Sequence, residues 1–340
     1  MNFLSDTAAP AHPAIIETLA EANVGSEPSY GADRWVNQAK EYLAEVFETD
    51  VEVWLVSSGT AANALALSLI CPPHGAILCH AEAHIERDER GAPEFYTGGA
   101  KLSLLPGEHG KIELGILRSH LNASRPDFVH EVPACALSLS NLTECGTAYS
   151  AAEIAERAAL AAPHGPVHLD GARFANALAS TGASPADMSW KAGVSLMSFG
   201  ATKNGALGCE AILLFGEARR LEPELKARAK RGGHMPPKMR FLGAQMAAYL
   251  RDGLWLDLAR RANASAKKLA DVLVDAGKGN LAHPVEGNEV FVDLELDVAA
   301  KLRAAGASFY PWAGKTHRFV CSWATTEAEI STVSKTLTPR

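Results

Sequence analysis

Apolar positions along the chain alternate between helical and strand-like spacing. Residues 12–23 place Ile15, Ile16 and Leu19 at helical intervals. A Gly/Ser/Pro-rich stretch at 25–31 follows, and then Trp35, Ala39, Tyr42, Leu43, Val46 and Phe47 recur at steps of three and four, the spacing of one buried helix face. VEVWLV (51–56) is a short continuous apolar run, so it predicts a buried strand. SSGT and an alanine-rich helix over 61–70 come next. Strands are expected at 76–79, 102–105, 134–139, 167–170, 194–199 and 210–215, with helices over 113–123 and 151–162. Short apolar strands alternating with helices predict an α/β fold, with a mostly parallel sheet covered on both faces.

The rhythm changes after about residue 220. A basic helix over 223–231 leads into RGGHMPP (231–237), a loop by its Gly and Pro content. Two helical stretches fill 240–276 on either side of Asp252–Gly253. Beyond residue 277 the pattern becomes α+β: a strand in EVFVDLEL, a helix over 298–305, a strand in HRFVCSW and a helix over 327–337. We expect an N-terminal arm (1–30) packing with the small domain, a large domain (31–240) and a smaller C-terminal domain (241–340).

Composition narrows the class without changing that picture. The 340 residues are 47% hydrophobic and 21% charged, ordinary for a globular chain. Lys+Arg 32 against Asp+Glu 39 leaves a net charge of −7, the wrong sign for a general nucleic-acid binder. No apolar run approaches the roughly 18 residues of a membrane span, and the N-terminus lacks the basic start of a signal peptide. Six scattered cysteines without a CxxC pair predict free thiols in a reducing cytoplasm. They supply no ligand spacing for a metal.

Three strand ends carry candidate chemistry. Lys203 follows the apolar strand VSLMSF in SFGATKNGALG, where small residues allow close approach of a ligand. A partly desolvated lysine can form a Schiff base with an aldehyde, although most loop lysines only face solvent. Asp170 ends VHLD and opens DGAR, at the strand edge where α/β sheets bind ligands; the plain alternative is a helix cap. Ser58, Gly59 and Thr60 join a strand to a helix N-terminus, which favours an anion. On its own, that segment is more often capping. Together the three supply what pyridoxal phosphate (PLP) requires: a lysine for the aldehyde, a carboxylate for the ring nitrogen and a cradle for the phosphate. Arg318 lies within an apolar strand, and a buried arginine needs an anion nearby, which an amino-acid carboxylate could supply.

From LSDTAAPAHPAI to HRFVCSWATT the chain resembles the low-specificity L-threonine aldolases, of the β-eliminating lyase group of fold-type-I PLP enzymes. The resemblance implies a seven-stranded, mostly parallel sheet in the large domain and PLP as cofactor. It implies cleavage of L-threonine, L-allo-threonine or related β-hydroxy-α-amino acids, such as phenylserine, to glycine and an aldehyde. Lys203 would hold the cofactor, Asp170 its ring nitrogen, and Gly59 and Thr60 its phosphate. His84 would stack on the ring. Ser5, Arg173 and Arg318 would bind the substrate carboxylate, and Tyr30 would reach a neighbouring subunit's site. His130 matches a second histidine near the substrate hydroxyl, so the proton acceptor would be His84, His130 or a water between them. Glu89 matches an acidic position. A homotetramer, as a dimer of dimers, is also implied.

The chain departs from the more familiar bacterial members around the pocket. Their SKGLG is here TKNGALG, and their ENTHNG is NLTECG. Their GGGMRQ is GGHMPPKMRF, which puts Lys238 in place of an arginine. Glu86 and Asp88 also differ. These changes bear on substrate preference and suggest a distinct branch. Competing readings are β-elimination or transamination on the same scaffold, and a non-catalytic regulator of the same fold. A dinucleotide-binding dehydrogenase would need a GxGxxG turn after the first strand, which SSGTAAN does not supply.

Overall fold

The computed structural model describes residues 1–276 and 279–338. Seven strands build the larger sheet: β1 (Glu52–Val56), β2 (Ala76–His80), β3 (Lys101–Leu105), β4 (Ala134–Ser140), β5 (Val167–Gly171), β6 (Leu196–Gly200) and β7 (Glu210–Leu214). Their order is β1-β7-β6-β5-β4-β2-β3. All are parallel except β7, which runs antiparallel to both β1 and β6. Every residue of β2, β5, β6 and β7 is buried, as expected for strands covered on both faces.

The antiparallel course of β7 matters for the site. Glu210, its first residue, lies in register with Val56 at the end of β1 and Gly200 at the end of β6. A carboxylate at the start of one strand therefore joins the edge formed by the ends of the others. On that edge Gly200 packs against the β5 turn so closely that a Cβ would fall 2.4 Å from the Ala172 carbonyl oxygen. No larger residue fits there without moving the turn that carries Asp170.

Helices flank this sheet. Arg34–Phe47 is capped by the Asp33 side chain and buries Trp35, Val36, Ala39, Leu43 and Phe47. Gly59–Ile70 is apolar nearly all round and buried over Ala61–Ser68. Leu254–Asp275 spans both halves of the molecule, packing on Phe174–Thr181 and on Glu327–Leu337. Asn176 and Asn263 fasten the first of those contacts, at 2.9 and 3.0 Å.

The smaller sheet is antiparallel, in the order β10-β11-β9-β8. It comprises β8 (Gly279–Leu281), β9 (Glu289–Leu294), β10 (Tyr310–Ala313) and β11 (Thr316–Val320). Phe3 of the arm completes its core beside Val290, Val292 and Phe319. The Phe3 amide donates to the Ser308 carbonyl, and its carbonyl accepts from Val320, both at 2.9 Å. The helix Pro13–Ala22 instead packs against Arg240–Leu250, beside the larger core. Among the described residues no helix is long and apolar enough to cross a membrane.

Candidate active site

Two cavities meet above the strand ends. The inner one, about 240 Å³, is lined by Ser58, Gly59, Thr60, Asn63, Asp170, Lys203 and Glu210 among others. The outer one, about 850 Å³, reaches Ser5, Glu289, Tyr310, Trp312 and Arg318.

Lys203 sits in the turn after β6, and that turn is pinned on every side. The Ala201 amide donates to Glu210 Oε2 at 3.0 Å, and the Cys209 amide donates to the Thr202 hydroxyl at 3.0 Å. Asn204 Nδ2 donates to the Tyr249 hydroxyl and the Trp255 carbonyl, at 2.8 and 2.7 Å. The asparagine of TKNG is thus a buried fastener of the lysine turn. Burial raises Glu210 to about 7, against the pull of Thr202, the Ala201 amide and the Lys203 charge.

Asp170 takes both roles open to it. Its Oδ1 accepts the Ala172 amide at 3.0 Å, capping the DGAR turn, and its Oδ2 accepts Asn63 Nδ2 at 2.8 Å. Burial pushes this carboxyl up, but His84, Lys203, the Ala172 amide and His168 more than reverse that, so its pKa falls below the ordinary value. A carboxylate that stays ionised is suited to hold a proton on a ring nitrogen. Ser58 caps Gly59–Ile70, its hydroxyl accepting the Ala61 amide at 3.3 Å. The first amides of that helix have no intrahelical acceptor and border the inner cavity. A Cβ on Gly59 would meet nothing within 4 Å, so the cradle is open to a phosphate.

From Asp170 a hydrogen-bonded chain runs outward. Asn63 Nδ2 also donates to Glu89 Oε1 at 2.8 Å, and His84 Nδ1 lies 2.8 Å from the same oxygen. Burial pushes the His84 imidazole down, but the Glu89 bond and the Asp170 charge outweigh it and leave the pKa raised. Burial also raises Glu89, against the pull of the His84 and Asn63 hydrogen bonds. Glu89→Gln is therefore expected to lower the His84 pKa, read by NMR titration of the ring; an unchanged midpoint would remove Glu89 as its source.

The carboxylate-binding group has a different arrangement from the one expected. Arg173 is already paired: Nε donates to Asp6 Oδ2 at 2.7 Å, Nη2 to Oδ1 at 3.3 Å, and Glu289 Oε2 lies 3.4 Å from Nη1. Burial opposes its charge, but Asp6 and Glu289 more than restore it. Arg318 lies 3.8 Å from Glu289 Oε1 and beneath the Tyr310 and Trp312 rings, each centred 5.4 Å away. Its Nε is buried without a partner among the described residues. The anion required by a buried arginine is thus supplied in part by the chain itself, and Arg318 retains the free donor. Ser5 lines the outer cavity, its hydroxyl 2.7 Å from that of Thr7.

Three expected site residues lie elsewhere. His130 is exposed against Phe128, ring centres 5.2 Å apart. It precedes β4, so it sits at the opposite edge of a parallel sheet from this chain's own strand ends. Lys238 is exposed and lines neither cavity. Tyr30 is also exposed, and its amide donates to the Pro237 carbonyl at 3.0 Å, so the two residues lie on neighbouring outward loops. Conversely, Asp6, Asn63, Glu144, Glu210 and Glu289 were not anticipated. Asn63 in TAANALA and Glu210 in GCEAILL are polar within apolar or small-residue stretches, a signal the other three lack.

A lysine turn, a strand-end carboxylate and a helix N-terminus around one cavity, on this strand order, define the PLP-dependent enzymes of fold type I. An aspartate aminotransferase from Rhodobacter sphaeroides shares the fold at TM-score 0.74 and 17% identity, over 99% of this chain and 92% of that one. The chain belongs to the beta-eliminating lyase family, whose model matches residues 2–297. It is 41% identical to the low specificity L-threonine aldolase of Pseudomonas aeruginosa, over 95% of this chain and 93% of the relative. A threonine aldolase structure from Leishmania major superimposes at TM-score 0.91 with 30% identity, over 99% of this chain and 98% of that one. The family resemblance drawn from the sequence motifs is borne out.

Proposed function

We propose that this protein is a PLP-dependent carbon–carbon lyase. It cleaves L-threonine, L-allo-threonine or related β-hydroxy-α-amino acids to glycine and an aldehyde. The observation that carries this reading is the pair of joined cavities: Lys203, Asp170 and the Ser58–Thr60 helix end enclose one, and Arg318 offers its free donor in the other. When bound, the cofactor supplies an electron sink for the breaking Cα–Cβ bond.

The chain's own residues supply the rest. Lys203 holds the cofactor aldehyde, Asp170 keeps a proton on the ring nitrogen, and Ser58, Gly59 and Thr60 receive the phosphate. Arg318, with Ser5 beside it, receives the substrate carboxylate. Arg173 sets the position of that group through Asp6 and Glu289 rather than acting as a free cation. A carboxylate fixed on one side and an amine on the other orient the Cα–Cβ bond, which is where positioning gains rate.

We place the protein in the cytoplasm as a homotetramer, a dimer of dimers, consistent with six unpaired cysteines. Tyr30 and Lys238, exposed on two neighbouring loops, would then meet a neighbour's site. The division into an arm (1–30), a large domain (31–240) and a small domain (241–340) belongs to the same reading.

A panel of L-threonine, L-allo-threonine, phenylserine, serine and alanine, scored for products, tests the function. Glycine with an aldehyde is expected. Pyruvate with ammonia would indicate β-elimination, and a keto acid formed only with an amino acceptor would indicate transamination.

A further inference from the structure

The inner and outer cavities share five wall residues: Thr7, His84, Glu144, Arg173 and Lys203. Under the aldolase reading, on which this inference rests, the substrate amine is drawn inward toward Lys203 and its carboxylate outward to Arg318. The Cα–Cβ bond and the β-hydroxyl must then lie against this shared wall. Cleavage needs a group there that can take the hydroxyl proton.

Four of the five are poorly suited. Arg173 is held charged by Asp6 and Glu289, and a guanidinium has no acceptor. Lys203 is committed to the cofactor. The Thr7 hydroxyl is paired with that of Ser5 and is no base near neutrality. His84 Nδ1 is engaged by Glu89, and that bond with the Asp170 charge raises the imidazole pKa, which makes it the poorer acceptor.

Glu144 is different. It follows β4 at the strand-end edge, and its Oε1 accepts the His84 amide at 2.7 Å and the Ser140 hydroxyl at 2.8 Å. Its other oxygen is buried without a partner among the described residues. We infer that Glu144 is a further catalytic residue, which takes the proton of the substrate β-hydroxyl as the Cα–Cβ bond breaks. The O–H bond yields its proton to the Glu144 carboxylate, and the oxygen's electron pair closes the aldehyde C=O. The pair from the broken Cα–Cβ bond stays with the glycine fragment, which then gains a proton at Cα. Glu144 returns its own proton to water once the aldehyde has left.

The surroundings suit the task. Burial lifts Glu144 to about 7, and the Asp170 charge adds to that, while the His84 amide and Ser140 pull the other way. Arg173 and Lys203 face it across the cavity. Cys79 of β2, Cys145 next in the chain and Tyr149 are also near and held neutral by burial, while His84, Glu82, Asp88 and Glu289 line the outer cavity with Glu144. A carboxyl that titrates near neutrality can both take and give a proton at working pH.

The test is Glu144→Gln in the PLP-loaded enzyme with L-threonine. The visible cofactor absorption and KM should change little, while kcat falls roughly 10²–10⁴-fold. In the wild type, kcat should rise with pH through an apparent pKa near 7, and the variant should lose that limb. A readout independent of turnover is the thermal stability of the cofactor-free protein. The folded state binds an extra proton between the ordinary value of 4.5 and about 7, so wild-type stability should fall relative to the variant as pH rises through that window. A variant with near wild-type kcat, or a wild-type kcat flat between about pH 6 and 8, overturns the assignment, the second even if the variant does not fold. Aldehyde from both proteins at similar rates sinks the Glu144 role alone. A wild type that releases no aldehyde from any β-hydroxy-α-amino acid sinks the aldolase reading with it.

Discussion

Lys203→Ala is expected to give a folded, colourless protein that releases no aldehyde. The turn around residue 203 is held by Asn204, Thr202, Glu210 and Ala201 rather than by the lysine itself, so the fold should survive. What disappears is the only amine on the wall shared by the two cavities. Covalent attachment of the cofactor aldehyde goes with it, and so does the visible absorption that such attachment produces. The loss of turnover should exceed the roughly 10²–10⁴-fold attributable to one acid–base group, because the lysine anchors the cofactor on which the whole reaction depends. Absorbance, circular dichroism and aldehyde release on one preparation check this. A yellow, active variant would remove Lys203 from the site.

The second large effect concerns stability. Asp6 is one carboxylate that ties three distant segments together: it accepts from Arg173 after β5 and from Asn288 before β9, while itself belonging to the arm. The Asp6 side chain is 1% exposed and that of Arg173 12%, so solvent screens little of the pair. Asp6→Ala leaves a buried guanidinium with only the longer Glu289 contact, and removal of one partner from a buried pair costs about 3–5 kcal/mol. Urea unfolding near neutrality should show a loss of that order; a loss below about 1 kcal/mol, the surface-pair range, would contradict it. The pH dependence has a defined sign. Burial pushes the Asp6 carboxyl up, but Arg173, Lys203 and Asn288 pull it further down, below the ordinary 3.8. Its contribution is therefore complete above 3.8 and is lost as pH falls through the lower folded value. The gap between wild type and variant should stay constant at neutral pH and close in acid.

Most of the regular elements were legible because each buries a face whose spacing repeats locally. Arg34–Phe47 and the strands ending at Val56, Gly171 and Gly200 are clear examples. β10 was not, since all four of its residues are exposed and one is Pro311, so it has no burial pattern to read. The direction of β7 also escaped notice, although the short stretch between Gly200 and Glu210 is too brief for a parallel crossover of a dozen or more residues. In the site, Lys203, Asp170 and Ser58–Thr60 were legible because strand ends and a helix start place them. Glu144, Glu210 and Glu289 were not, because a glutamate in a sequence does not disclose that it will be buried.

The sequence by itself determined the α/β order, the family and the three groups that would hold the cofactor, since strand periodicity and strand-end chemistry are local properties. Only the tertiary structure decided how the charges are paired. It put Asp6 and Glu289 on Arg173, left Arg318 a free donor, turned His130 away and set Glu144 where the two cavities meet. Those outcomes depend on which distant residues come within a few ångströms of one another, and on how much water is excluded when they do, which no local pattern encodes.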